Sequence, residues 1–183
     1  MKAGVRALGI AESFDGDRST FGGAVVRASR VVDGFAFASA TVGGTDAAET
    51  VVDCYRSLGR EDVRYLLLAG IAPAWYNVVD LRAVHDAVDR PVICLSFEES
   101  EGLEAAIRRE FDGEELATRL ETYRTQPDRR RIEVHGHDLY YRAVGLSDDE
   151  AEDVVREFTP EGGRPEPVRV ARLAARAADT WRP

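Results

Sequence analysis

The segment best equipped for chemistry is Ala69-Gly70-Ile71-Ala72-Pro73-Ala74-Trp75-Tyr76-Asn77. It follows a wholly apolar run, contains Gly and Pro, and sets two adjacent aromatics beside an amide. Trp75 or Tyr76 would stack on a nucleobase while Asn77 hydrogen-bonds its edge. The competing reading packs the aromatics inward and makes Asn77 the cap of the next helix. Other candidates are weaker. Glu98, Glu99 and Glu101 follow an apolar strand, on the side where α/β sites gather, and also suit a solvated acidic surface. His135 and His137 flank Gly136 in a turn, with no third metal ligand at suitable local spacing; His85 falls in a helix. Arg169, Arg172 and Arg176 form one stripe on the last helix, and Arg129, Arg130 and Arg131 form a cluster; either group suits phosphates or acidic neighbours. Cys54 and Cys94 are too few and too far apart for a disulfide framework or a zinc site, and read as small core residues. No Ser/His/Asp arrangement, phosphate loop or dinucleotide fingerprint is present.

The elements that must position these residues follow from periodicity. Val5–Ala11, Thr20–Ala28 and Gly34–Val42 read as strands, the last two joined by a turn at Arg30–Asp33. Asp46 to Leu58 reads as a helix, with Asp46 and Glu49 at capping-box spacing. Val63–Leu68 is a buried strand, and Val78 to Val88 contains a helix. Pro91–Phe97 is the next apolar strand. Helical patterns then cover about 101–111 and 113–124. Arg131–Val134 and Leu139–Val144 form a second hairpin, Ser147 with Glu150 caps a helix to Phe158, and a last helix buries Val170, Leu173, Ala174, Ala177 and Trp181. An antiparallel three-strand meander followed by parallel strands with flanking helices predicts a ribonuclease H-like α/β fold. A doubly wound sheet would need a helix between the first strands, and no helical period is found there. The expectation is a single domain over residues 1–183.

Acidic residues outnumber basic ones 33 to 24, a formal charge of −9, and Lys2 is the only lysine. That balance predicts a halophilic archaeal cytoplasm, with GC-rich coding as a second cause. At high ionic strength long-range steering of nucleic acid is largely lost, so acidity does not exclude a nucleic-acid partner. The apolar stretch Tyr65 to Tyr76 falls short of the roughly 20 residues of a membrane helix. The start MKAGVRALGIAES lacks the pattern of a secretory signal. A cytoplasmic protein is expected.

Four strings then carry a family resemblance: Gly9-Ile10, Val42-Gly43-Gly44-Thr45-Asp46-Ala47, Gly70-Ile71 followed by Asn77-Val78-Val79-Asp80, and Pro165-Glu166-Pro167-Val168-Arg169-Val170-Ala171. In this order and spacing the chain resembles the archaeal endonuclease dU family, itself similar to endonuclease V. The resemblance implies a ribonuclease H-like endonuclease of DNA repair, a hydrolase that cuts DNA near deaminated bases. It also implies Mg²⁺ or Mn²⁺ held by carboxylates. Where the family has an aspartate after Gly-Ile, this chain has Ala11, with Glu12 next; before Gly70 it has Ala69. Where relatives have a histidine in the last helix, it has Arg172. Asp46 matches the family motif and is either a metal ligand or a helix cap; Glu12 is the nearest replacement for the missing ligand. Two functions stay open: a metal-dependent endonuclease using Asp46 and Glu12, or a non-catalytic relative with a nucleic-acid or nucleotide pocket around Trp75, Tyr76 and Asn77, aided by Arg169 and Arg172.

Overall fold

A computed structural model describes residues 1–181. The chain opens with β1 (Arg6–Asp15), β2 (Arg18–Arg27) and β3 (Val32–Thr41), followed by α1 (Ala47–Ser57), β4 (Val63–Ala69), α2 (Pro73–Tyr76), α3 (Leu81–Val88) and β5 (Val92–Ser96). It continues with α4 (Glu104–Glu110), α5 (Gly113–Arg124), β6 (Arg130–Val134), β7 (His137–Val144), α6 (Asp148–Glu157) and α7 (Glu166–Trp181). The strands form one seven-stranded sheet in the order β3-β2-β1-β4-β5-β7-β6. β1, β2 and β3 pair antiparallel, β1–β4 and β4–β5 pair parallel, and β7 closes antiparallel on β5. The fold is the ribonuclease H-like mixed sheet anticipated from the meander. No described helix is long and apolar enough to cross a membrane.

Alternation along the strands divides the core between two faces. Leu8, Ile10, Leu66, Leu68 and Val92 meet Val51, Leu81 and Val84 of α1 and α3. Ala7, Leu67, Ile93 and Leu95 meet Val154 and Val155 of α6, Phe158 at its C-terminal cap, and Val168 of α7. The β6–β7 hairpin turns through His135 (φ 51°) and Gly136 (φ 75°), between the paired residues Val134 and His137. Two consecutive left-handed positions are the conformation that a two-residue hairpin favours. His135 Nε2 lies 2.8 Å from the Thr159 carbonyl, tying the hairpin to the end of α6.

Two expectations need correction. α7 buries Pro167, Val168, Ala171 and Ala175, whereas Leu173 is 55% and Trp181 85% exposed. The reason is close approach. A Cβ at Gly9 would lie 2.0 Å from the Pro167 carbonyl carbon, and one at Gly22 would lie 2.8 Å from the Ala171 oxygen. Glycine on the sheet selects small residues on the helix, which outweighs the hydrophobicity of its flanks. The second correction concerns Asp46, whose side chain makes no capping bond to α1.

Candidate nucleic-acid site at the strand ends

β1, β4 and β5 run parallel, so their C-terminal ends share one edge of the sheet, where α/β folds place their sites. Ala11 and Ala69 lie at that edge. Ala11 is 3% exposed and packs with Ala24, Val26 and Ala171, and Ala69 covers the same cluster. Glu12 is the next residue along β1 and points to the opposite face. It is half-buried and accepts a hydrogen bond from Ser19 Oγ at 2.6 Å.

The half-buried Asp46 and the buried Asn77 form a lock between two loops. Asn77 Nδ2 donates to Asp46 Oδ1 (2.6 Å) and to the Thr41 carbonyl (3.0 Å). Its Oδ1 accepts from the Ala47 amide at 2.9 Å, so Asn77 caps α1 from outside that helix. The Thr41 amide and hydroxyl also donate to Asp46. Burial alone would raise the Asp46 pKa, but the hydrogen bonds from Asn77 and Thr41 outweigh it and hold the carboxyl below its ordinary range. Asn77 is fully buried with its amide committed, and therefore presents no edge to a base. The helix it was expected to cap, α3, is capped by Asp80, which accepts from the Arg82 and Ala83 amides.

The aromatics are divided between surface and core. Ala74, Trp75 and Tyr76 adopt φ of 49°, 59° and 56°, three consecutive left-handed residues of which none is glycine. The turn is pinned by the Gly43 amide donating to the Ala74 carbonyl (2.7 Å) and the Asn77 amide to the Pro73 carbonyl (3.0 Å). Trp75 emerges 51% exposed, while Tyr76 packs edge-on against Trp75 and Phe111. From α5, the buried Arg119 bonds the Gly43 and Gly44 carbonyls and stacks over Phe111 at 3.8 Å, clamping the same loop.

On the other side of the Ala69–Ala72 stretch a cleft of about 420 Å³ opens. Arg129, Arg142, Arg164 and Arg172 line it, with Phe97, Tyr123 and Tyr141, and Glu98 is its only carboxylate among the described residues. Arg129 donates to Ser96 Oγ (3.1 Å) and to the Ser100 and Glu98 carbonyls; Arg142 donates to the Pro127 carbonyl and to Tyr123 Oη. Arg164 lies 4.1 Å over the Phe97 ring. Arg172 also borders a smaller recess with Glu12, Ser13 and Arg176. Arg169 does not line the cleft and is held by Glu166 at 2.6 and 2.7 Å. Arg130 and Arg131 pair with Asp148 and Asp138. Cys94, on the cleft floor, is no nucleophile, because burial pushes its thiol up to about 12. Sequence reasoning missed Arg142 and Arg164. A charge inside the alternating strand His137–Val144 was the available signal for the first; nothing local marked the second.

A divalent cation such as Mg²⁺ needs several hard oxygen ligands. Ala11 and Ala69 offer methyl groups, Arg172 adds a positive charge beside them, and among the described residues no group of three or more His, Cys, Asp or Glu side chains converges. The strand-end residues do not fit the metal that the fold family implies.

The profile of the Endonuclease dU family matches residues 3–179, nearly the whole described chain. The chain belongs to that family. It is 36% identical to a UPF0215 protein of Pyrobaculum aerophilum over 176 residues, covering 93% of this chain and 92% of the other. Among solved structures, a protein of unknown function from Archaeoglobus fulgidus superposes with a TM-score of 0.84 at 28% identity, covering 94% of this chain and 97% of its own. Human ENDOV gives a TM-score of 0.66 at 16% identity, covering 96% and 84%. Ciona intestinalis endonuclease V, solved with DNA containing an inosine followed by a ribo-adenosine, gives 0.64 at 12% identity, covering 96% and 86%. This family member thus shares the endonuclease V fold.

Proposed function

We propose that this protein recognises DNA containing deaminated bases, deoxyuridine or deoxyinosine, as a repair-associated member of the Endonuclease dU family, and that it has retained recognition without the usual metal-dependent cleavage. The observation behind this reading is the strand-end edge itself. An exposed Trp75 and a cationic cleft flank positions whose residues, Ala11 and Ala69, cannot ligate a metal. Trp75 would stack on an unpaired base, and the cleft arginines would hold the adjoining strand by its phosphates. Asp46 and Asn77 act as positioning residues that fix the Trp75 turn against α1. An acid-rich surface with Lys2 as its only lysine accords with a high-salt archaeal cytoplasm.

A second reading, a metal-dependent endonuclease that hydrolyses DNA, is favoured by the family match and by Glu12, the half-buried carboxylate nearest the empty ligand positions. One experiment separates the two. Oligonucleotides containing deoxyuridine or deoxyinosine, and undamaged controls, are incubated with the full chain and Mg²⁺ or Mn²⁺ in high potassium chloride, following cleavage on gels and binding by fluorescence anisotropy. Preferential binding of the lesion strand without cleavage is expected. Trp75→Ala should weaken it by about 1–3 kcal/mol, the range for loss of one stacked base. Equal affinity for damaged and undamaged strands would refute the reading. Cleavage abolished by Glu12→Gln would establish the second.

A further inference from the structure

In the ribonuclease H-like arrangement that the resemblance implies, the strand-end position gathers carboxylates around a cation. Here the local sign is reversed. The cleft brings together four guanidinium groups and one carboxylate, that of Glu98. Two of the four have a structural explanation, since Arg129 and Arg142 spend donors on backbone carbonyls, a serine and a tyrosine. The other two do not. Arg172 makes no side-chain hydrogen bond or ion pair with any described residue, and Arg164 makes only its stacking contact with Phe97. Elsewhere on this acid-rich surface Arg124, Arg131, Arg156 and Arg169 each find a carboxylate, while Arg18, Arg82 and Arg176 also lack a side-chain partner among the described residues, so it is convergence on one cleft that sets Arg164 and Arg172 apart. Free guanidinium groups on the wall of a cleft, in a chain with an excess of acids, mark a place shaped for an anion.

We propose that this cleft is a phosphate site in which Arg172 and Arg164 bind the terminal phosphate of a nucleotide, Arg172 also bordering the strand-end recess beside Ala69. The inference rests on the nucleic-acid reading above and names the chemistry of its ligand. Guanidinium presents N–H groups in a planar fork that matches phosphate oxygens two at a time. Two unpaired guanidinium groups suit the double charge of a phosphate monoester better than the single charge of a diester. The volume agrees: about 420 Å³ lies toward the lower end of small-molecule pockets and accommodates one nucleotide rather than a duplex. Ile71, Ala72 and Leu103 supply an apolar wall, with Tyr123 beside them, for the sugar and base. Such a phosphate comes either from a free mononucleotide or from the 5′ end of a strand.

Titration calorimetry on the full chain tests this with deoxyuridine 5′-monophosphate, deoxyuridine, and one oligonucleotide with and without a 5′-phosphate. The monophosphate should bind at least about tenfold more tightly than the nucleoside, the loss expected for removing a charge-assisted pair. Arg172→Gln and Arg164→Gln should each reduce that affinity by a similar factor, with Arg172→Lys intermediate and thermal unfolding of all three unchanged. A strand-end ligand shows as a 5′-phosphorylated oligonucleotide outcompeting the mononucleotide; a free nucleotide shows the reverse; both support a phosphate site. Equal binding of monophosphate and nucleoside, no binding of either, or unaltered affinity in folded Arg172→Gln would overturn it. Lesion preference, measured in parallel, reports on the functional reading separately. Preference without phosphate dependence sinks only this inference, and phosphate dependence without preference sinks only that reading.

Discussion

Two methyl groups set the chemistry of the strand-end edge. Ala11 and Ala69 close a small-residue cluster against α7, and neither supplies an oxygen beyond its own backbone. Carboxylates at both places would repel one another without a cation and would crowd Ala171, so the present residues favour folding over metal binding. The double change Ala11→Asp with Ala69→Asp should therefore lower stability by about 1–3 kcal/mol in chelator. Adding Mg²⁺ should restore part of that loss and show measurable binding by calorimetry, while the unmodified chain responds to Mg²⁺ in neither assay. The same double variant should bind deoxyuridine monophosphate more weakly, because a carboxylate beside Arg172 competes for its guanidinium. Identical Mg²⁺ responses from the two proteins would place the cation elsewhere.

The meander that presents this edge is tied together at its opposite end. Asp33 of β3 receives Arg27 of β2 at 2.6 Å and Arg6 of β1 at 2.5 Å, with Arg60 at 3.8 Å. Hydrogen bonds from Arg27 and then Arg6 hold its carboxyl at about 2, below the ordinary 3.8. A pKa lowered by folding stabilises the native state above the unfolded value, and the benefit disappears as pH falls from about 4 toward 2. Melting temperatures measured from pH 5 down to 2 should accordingly fall less steeply in Asp33→Asn than in the unmodified chain, and parallel curves would show that the tie contributes nothing. These strands were legible because hairpin alternation and short apolar runs are local signals; the sheet followed from their order. The last helix was misjudged because its buried face is chosen by Gly9 and Gly22, more than 140 residues earlier, through backbone contacts that no periodicity records. Asn77 was misread for a similar reason, since its partners Thr41, Asp46 and Ala47 lie in another loop. The cleft was hidden because its arginines come from separate segments and gain meaning only where they converge.

On the proposed reading, a molecule of formal charge −9 that holds a nucleic-acid strand through a few guanidinium groups must manage two opposing fields. Its surface as a whole repels a nucleic-acid strand, and added salt screens that repulsion, with a Debye length near 3 Å at 1 M. The contacts in the cleft act oppositely, because each phosphate neutralised releases counterions and loses affinity as salt rises. Basic DNA-binding proteins sum many such contacts and bind steeply less well in salt. Here only Arg164 and Arg172 stand unpaired in the cleft among the described residues, so on the proposed reading the two charges of one terminal phosphate are neutralised. For a single strand this gives a slope of log K against log[KCl] of about −1.4, made shallower still by the screened repulsion. Anisotropy titrations of a deoxyuridine-containing single strand across a wide range of KCl should give a slope no steeper than that. Arg172→Gln should flatten it by about 0.7. A slope near −4 or beyond would mean that arginines now paired with carboxylates leave them to grip the strand, and that the acidic surface, rather than the cleft alone, reorganises on binding.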